Sequence, residues 1–261
     1  MGGYPTDLTD DQWDYISHLI PPAKSGGRPR TTSMRRTIDA IFYLVRTGCQ
    51  WRQLPNDFPP WETVYRYFVA WRRRGMITEM QRALYRLVRL TESRDPVPSV
   101  VIIDSQSVKT GKAGGDRGFD GGKRIKGRKR HLVVDTTGLM VDVAVSPANR
   151  HDTKGARCVL RRITLRMKCK PRIVYADGGY GGRPFEKWVD KNLGGRVEIS
   201  ANLTTTARGF VPAKQRWVVE RTFAWFGDYR RLDKDHERLI PHSVAMIRMA
   251  MVRLMLNRLN R

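Results

Sequence analysis

Two short apolar runs in this chain end on aspartate. SVVIID, residues 99–104, and RIVYAD, residues 172–177, have the composition of strands that are buried on both faces. If these strands are parallel neighbours, roughly 5 Å apart, Asp104 and Asp177 converge at the strand ends, where ligands bind in open α/β sheets. Two unpaired carboxylates would repel each other there unless a cation lies between them. Because no histidine or cysteine cluster accompanies them, the pattern predicts a hard ion, Mg²⁺ or Mn²⁺.

A third acidic ligand is predicted at Glu220, within RWVVERTFAWFGDYRRL. Its apolar neighbours form a stripe at helical spacing: Trp217, Val219, Phe223 and Phe226. Among such neighbours a carboxylate is expensive to bury without a partner, which a metal ion would provide. The alternative is an ion pair between Arg216 and Glu220 on a solvated face, which the i, i+4 spacing permits.

The charge balance of the 261 residues indicates a polyanionic partner. Lys and Arg number 49 against 25 Asp and Glu, which gives a formal charge of +24. Nucleic acid is the first candidate, because cationic side chains release counterions from phosphates; an anionic membrane surface is the second. No apolar run reaches the roughly 20 residues of a membrane span, and MGGYPTDLTDDQW is unlike a signal peptide. We therefore expect a cytoplasmic protein, and its three scattered cysteines indicate neither disulfides nor a zinc site.

The first ninety residues have helical periodicity. Thr9 and Gln12 form a capping-box pattern for a first helix, and a second is predicted from Ser33 to Gly48. A third opens at Pro60 and ends near Gly75, and a fourth covers roughly residues 78–90. The prolines and polar residues of SRDPVPS, residues 93–99, break this pattern. We place a domain boundary there, between residues 1–95 and residues 96–261.

The second and third helices favour a helix-turn-helix-like DNA-binding module, although their connection is longer than usual. The third helix would enter the major groove and present to bases or phosphates Trp61, Glu62, Thr63 and Arg66. Its last residues, Arg72, Arg73 and Arg74, would grip the backbone. GGRPR, residues 26–30, would extend Arg28 and Arg30 as a minor-groove arm. The alternatives are an ordinary helical bundle with a solvated basic end and a plain loop.

The rest of the chain alternates strands and helices, which predicts a mixed α/β sheet with helices packed on it. RHLVVDTTGLMVDVAVS is typical of an antiparallel hairpin, in which Asp135 opens the turn DTTG for backbone reasons. Helices are predicted over residues 154–167 and 184–193, and from near Pro212 and Pro241. The last of these is expected to form core or a dimer face.

A basic segment, residues 110–130, separates the first strand from the hairpin. Six of the eight residues from Lys123 to Arg130 are cationic: Lys123, Arg124, Lys126, Arg128, Lys129 and Arg130. Closed apolar packing is not expected for such a run, so we predict a surface that follows DNA phosphates. The alternative is a solvated flexible loop. His151 and Asp152, after the second hairpin strand, are further candidates to border the site.

Several of these stretches together resemble the DDE transposases of bacterial insertion sequences, specifically the insertion sequence 5 family. They are TGCQWRQLP, TVYRYFVAWRRRG, IIDSQSVKT, GGKRIKGRKRHLVVDTTGL, SPANRHD, VYADGGYGG and RWVVERTFAWFGDYRRL. The resemblance covers nearly the whole chain in the same order. It implies a ribonuclease H-like catalytic domain whose DDE triad maps onto Asp104, Asp177 and Glu220.

The resemblance also implies the chemistry. Two Mg²⁺ or Mn²⁺ ions, roughly 3.5–4 Å apart, would serve hydrolysis at the element's ends and the joining of 3′-hydroxyls to target DNA. The partners implied are double-stranded DNA, as terminal inverted repeats and target, and a second copy in a nucleoid-associated homodimer. The alternatives are a non-catalytic DNA-binding repressor and a nuclease that cannot join strands.

One signature of related transposases is incomplete here. It consists of Tyr, Arg, Glu and Lys around the glutamate; Arg216 matches the arginine, but Ala213 and Gly227 occupy the tyrosine and lysine positions. Cations that could substitute are Arg221, Arg230 and Arg231.

Overall fold

The computed structural model describes residues 3–23, 25–26, 29–199 and 216–260. Four helices precede the sheet: α1 (Asp10–Ser17), α2 (Met34–Thr47), α3 (Trp61–Arg73) and α4 (Met76–Thr91). Their ends confirm the predicted caps. The Thr9 side chain accepts from the Gln12 amide and Gln12 reciprocates, while Gly48 ends α2 with a φ of 74°, which glycine adopts at little cost.

The remaining elements form a six-stranded mixed sheet flanked by helices, which confirms the predicted α/β class. The strands are β1 (Val100–Lys109), β2 (Gly118–Asp120), β3 (Ile125–Asp135), β4 (Met140–Pro147), β5 (Ile173–Ala176) and β6 (Arg196–Ile199). β3 lies antiparallel to β1, β2 and β4, whereas β1, β5 and β6 are parallel. The helices are α5 (Asp152–Met167), α6 (Arg183–Leu193), α7 (Arg216–Gly227) and α8 (Ile240–Leu259).

Two strands are longer than the sequence indicated. β1 continues past Asp104 to Lys109, and β3 begins at Ile125, inside the basic segment. Their pairing runs without interruption from Val101 with Asp135 to Lys109 with Gly127. Six of the eight residues from Lys123 to Arg130, residues 125–130, therefore lie in a strand rather than a loop, because the ladder satisfies their backbone groups whatever the side chains are.

One hydrophobic core joins the N-terminal helices to the sheet. α1, α2, α3 and α4 all pack against α8, and the same cluster contains Ile41, Leu84, Val101 and Ile247. Hydrogen bonds cross the same boundary, since Gln81 Nε2 on α4 donates to the Met140 carbonyl at 2.7 Å. The division into residues 1–95 and 96–261 stays a prediction about sequence units, and in the structure the two parts pack as neighbours.

Helix α8 is a core element. Ile247 and Met251 are fully buried in it, as predicted for core packing. Across the described ranges, no helix combines the length and the apolar character needed to cross a bilayer.

Two other aspartates of the hairpin are structural. The Asp135 carboxylate accepts from the Thr137 and Leu139 amides at 2.9 and 3.1 Å, as expected of a residue that opens a turn. Asp142 is buried between Arg162 and Arg248, which hold its pKa below the usual range although burial opposes them.

Candidate active site

The first two predicted acidic residues lie side by side. β1 and β5 are parallel, and Ile102 pairs with Tyr175; Asp104 and Asp177 each follow two residues later. The same register therefore sets the two aspartates level on adjacent strands. Both are half-buried. Asp104 does not end its strand, however. β5 stops at Ala176 while β1 continues to Lys109, so the two aspartates lie where β1 extends past the end of β5.

Local backbone hydrogen bonds orient both carboxylates. Asp104 Oδ1 accepts from the Ser105 amide at 2.6 Å. Asp177 Oδ1 accepts from the Gly179 amide at 3.0 Å and so caps the 3₁₀ turn Gly178–Tyr180. These contacts restrict the direction in which each carboxylate points.

A buried tyrosine and a further aspartate belong to the same place. Tyr180 is only 1% exposed, and its pKa is raised well above the usual value by burial and by the charges of Asp104, Asp152 and Asp177. Asp152 begins α5; its Oδ1 accepts from Ser105 Oγ at 2.7 Å and lies 3.0 Å from Lys129 Nζ. From the sequence, Asp152 was predicted only as a residue that could border the site.

His151, the neighbouring candidate, is a helix cap. Its side chain accepts from the Thr153 amide at the start of α5. That contact accounts for the residue through local structure.

The paired aspartates fit a hard divalent ion in their chemistry. They offer carboxylate oxygens, which Mg²⁺ and Mn²⁺ prefer. Two are fewer than a closed site needs, and within the described ranges no three His, Cys, Asp or Glu residues are grouped closely enough to hold a metal ion.

Glu220 lies on α7 and is exposed, as the alternative of a solvated face allowed. The reason is the orientation of α7: Val218, Val219 and Thr222 are buried, and Thr222 Oγ1 donates to the Gly138 carbonyl at 2.8 Å. The Arg216 side chain lies outside the described residues, so the predicted ion pair stays untested.

The segment after α7 covers the face of the sheet that carries Asp104. Asp104 is opposite Leu132 and Gln106 is opposite Arg130, so these side chains share a face. Arg130 on that face donates to the Leu232 carbonyl at 2.9 Å. Ser105, in contrast, points to the other face, which α5 covers.

Four cations that were predicted to contact DNA are buried, and protein acceptors bind their side chains: Arg128, Lys129, Arg130 and Arg231. Arg128 pairs with Asp235 at 3.0 Å, and Lys129 bridges Asp120 and Asp152 at 3.3 and 3.0 Å. The other two donate to the oxygens of Gln106, Glu237 and Cys49. The prediction is corrected for these four, because a buried cation that is paired in this way is not available to phosphate.

The other predicted contacts divide by exposure. Exposed ones are Arg30, Arg66, Arg73, Arg74, Lys123, Arg124, Lys126 and Arg230. Half-buried ones are Trp61, Thr63, Arg72 and Arg221. Arg221 is stacked between Trp217 and Trp225, with its guanidinium 4.6 and 4.8 Å from their rings. Arg28 and the side chain of Arg216 lie outside the described residues.

Exposed arginines border a groove beside α3. The groove has a volume of about 960 Å³, and the described residues that line it include Arg30, Arg66 and Arg74 but no acidic residue. It combines positive charge with the aromatic walls of Tyr67 and Trp71. Such a surface suits a phosphate backbone.

Two known protein families match the two parts of the chain. The family described as "Transposase DDE domain" matches residues 95–255. A second family, "Putative transposase of IS4/5 family", matches residues 8–81. No solved structure gives a significant match.

Three curated proteins are similar to parts of the chain. The putative transposase for insertion sequence element IS402 of Burkholderia cepacia is 32% identical over 118 residues, which are 43% of this chain and 54% of that protein. An uncharacterized protein, y4sN, of Sinorhizobium fredii is 34% identical over 79 residues, 30% of this chain and 63% of that protein. An uncharacterized 16.2 kDa protein of the same insertion element, IS402, is 27% identical over 114 residues, 41% and 76% of the two chains.

The matches thus span between about half and two thirds of the first two relatives. The DDE family covers well over half of this chain and includes both paired aspartates. The predicted resemblance is confirmed: the chain belongs to the Transposase DDE domain family.

Proposed function

We propose that this protein is a DDE transposase that cleaves the ends of its insertion sequence and joins the 3′-hydroxyls to target DNA. The observation that carries the proposal is the parallel register that sets Asp104 level with Asp177. The family model that matches residues 95–255 covers both of these half-buried carboxylates.

The two aspartates would hold divalent ions, and we propose Glu220 as the third ligand. When bound, two such ions would supply Lewis acidity at the scissile phosphodiester. Glu220 is exposed on α7, within the part of the chain that the family model covers. Tyr180, which is buried beside the aspartates, would exclude water behind them.

DNA would bind along the exposed cations. The groove beside α3 supplies Arg30, Arg66 and Arg74, and the start of the basic run supplies Arg124 and Lys126. We propose that α3 reads the major groove as part of a helix-turn-helix-like module and that two copies act together, because two ends must be joined. The mixed sheet supports a ribonuclease H-like catalytic unit.

The test is a cleavage and joining assay with labelled DNA that carries the terminal inverted repeats, with Mg²⁺ or Mn²⁺. We expect Asp104→Asn, Asp177→Asn and Glu220→Gln each to lower the cleavage rate by about 100-fold or more, since even outer partners of a metal site cost roughly 10–100-fold. Asp190→Asn, at an exposed carboxylate on α6, is the control and should cleave normally.

A non-catalytic DNA-binding repressor is the second candidate. The observation that favours it is that no three His, Cys, Asp or Glu residues among those that the structure describes form a group that could hold a metal ion. It predicts wild-type protein that binds the repeats but neither cuts nor joins them with either ion. Cleavage without joining would instead indicate a nuclease.

A further inference from the structure

Ser105 links the proposed catalytic site to Asp152 on the opposite face of the sheet. The Ser105 amide donates to Asp104 Oδ1 at 2.6 Å, and its hydroxyl donates to Asp152 Oδ1 at 2.7 Å. Its carbonyl accepts from Lys123 Nζ at 3.0 Å. All three polar groups of this residue are therefore engaged, and they fix the peptide unit that carries the Asp104 side chain.

Asp152 is itself held in place from two directions. It occupies the first turn of α5, where the helix dipole favours a carboxylate. Its Oδ1 also lies 3.0 Å from the ammonium of Lys129, which is buried. An acceptor held in this way is rigid enough to orient the hydroxyl that reaches it.

The Tyr180 hydroxyl adds a second, independent observation. It is buried beside Ser105, yet it makes no hydrogen bond of normal geometry within the described residues. The neighbouring Ser105 hydroxyl, which donates to Asp152, is the group that can accept from it. Tyr180 therefore belongs to the same polar cluster as Ser105 and Asp152.

We propose that Asp152 is a positioning residue which, through Ser105, holds the Asp104 carboxylate in the orientation that binds a divalent ion. This inference rests on the proposed function. It assigns to Asp152 no contact with substrate or metal. We call these contacts the Asp152–Ser105–Asp104 relay. Asp152 lies on the face of the sheet that α5 covers, and Asp104 lies on the opposite face, where DNA would bind.

The strand provides a matched comparison in Ser107. Its hydroxyl donates to Asp120 Oδ2 at 2.6 Å, and Lys129 lies 3.3 Å from that same carboxylate oxygen. Ser105 and Ser107 are thus equivalent buried serines. Each donates a hydrogen bond to an aspartate that forms an ion pair with Lys129. They differ in that only Ser105 is adjacent to Asp104.

The experiment measures Mn²⁺ affinity by calorimetry on the full chain, with unfolding curves to confirm that each variant is folded. We expect Ser105→Ala and Asp152→Asn to weaken Mn²⁺ binding by roughly 10–100-fold, as for other partners that orient a metal ligand. Ser107→Ala should bind as the wild type does. Ser105→Thr keeps the hydroxyl and should restore the affinity.

Three outcomes would overturn the inference. Equal weakening in Ser105→Ala and Ser107→Ala would show general loosening of the strand. Weaker Mn²⁺ binding in Asp152→Asn but not in Ser105→Ala would indicate that Asp152 is a direct ligand. Wild-type protein that binds no Mn²⁺ would leave no metal ligand for the relay to orient. Wild-type protein that binds Mn²⁺ but does not cleave DNA contradicts the proposed function alone.

Discussion

The basic run from Lys123 to Arg130 contains two halves that carry three cations each but differ in burial. Lys123, Arg124 and Lys126 are exposed, whereas Arg128, Lys129 and Arg130 are at most 6% exposed. The change occurs at Gly127, which pairs with Lys109 of β1 on one side and with Gly118 of β2 on the other. From that point the strand has neighbours on both edges and helices on both faces.

The difference shows that positive charge by itself does not mark a DNA-binding surface. Each buried cation donates to specific acceptors. Arg128, for example, donates to the Asp235 carboxylate and to the carbonyls of Asp116, Glu237 and Arg238. Burial lowers the pKa of Arg130 to about 10, which still leaves it charged at neutral pH. These residues hold the segment after α7 against the sheet, and the exposed half remains for DNA.

Replacing a buried member of the run should have the largest effect. Arg128→Met leaves Asp235 buried without its cation, and breaking such a pair costs about 3–5 kcal/mol of unfolding free energy. Chemical denaturation measures the loss. Lys126→Met, in the exposed half of the same strand, should change stability by less than about 0.5 kcal/mol; equal losses would contradict the comparison.

His131, the next residue of β3, sharpens the comparison because it lacks a close counter-charge. Burial lowers its pKa to about 4, only partly offset by Asp152. The folded state therefore disfavours the charged form, so stability is full above the unfolded pKa near 6.5 and is lost as the pH falls toward 4. At about 1.4 kcal/mol per pKa unit this amounts to roughly 3 kcal/mol.

Denaturation curves between pH 7 and pH 4 test that prediction. His131→Gln should flatten this part of the stability profile, whatever its stability at pH 7. His18→Gln, at an exposed histidine, should leave the slope unchanged. An unaltered slope in His131→Gln would mean that the imidazole is protonated inside the fold.

The exposed half should show the smallest energetic effect, and only with DNA. Arg124→Gln combined with Lys126→Gln should weaken binding by about 10-fold and reduce the slope of log affinity against log salt by roughly 0.9 per lost phosphate contact. Filter-binding or anisotropy measurements across a salt series would detect this. An unchanged slope of log affinity against log salt would show that Arg124 and Lys126 do not contact DNA phosphates.

Local elements followed from sequence because their signals are local. The cap at Ser33, the glycine that ends α2 and the apolar period of α8 each depend on neighbours within a turn or two. The approach of Asp104 and Asp177 was also predictable, since two apolar runs that end on aspartate constrain each other once the strands are parallel. The approach of Asp152 was not, because nothing in SPANRHD fixes which face α5 covers.

By itself, the sequence determined the helices, the paired aspartates and the excess of positive charge. Tertiary structure alone decided that half of the basic run is buried, that Glu220 is exposed and that Asp152 supports Ser105. The reason is the sequence distance over which each property is set: a helix is encoded within a few residues, whereas the burial of Arg128 depends on Asp235, 107 positions away. Burial is a relation between surfaces, and only the folded chain brings those surfaces together.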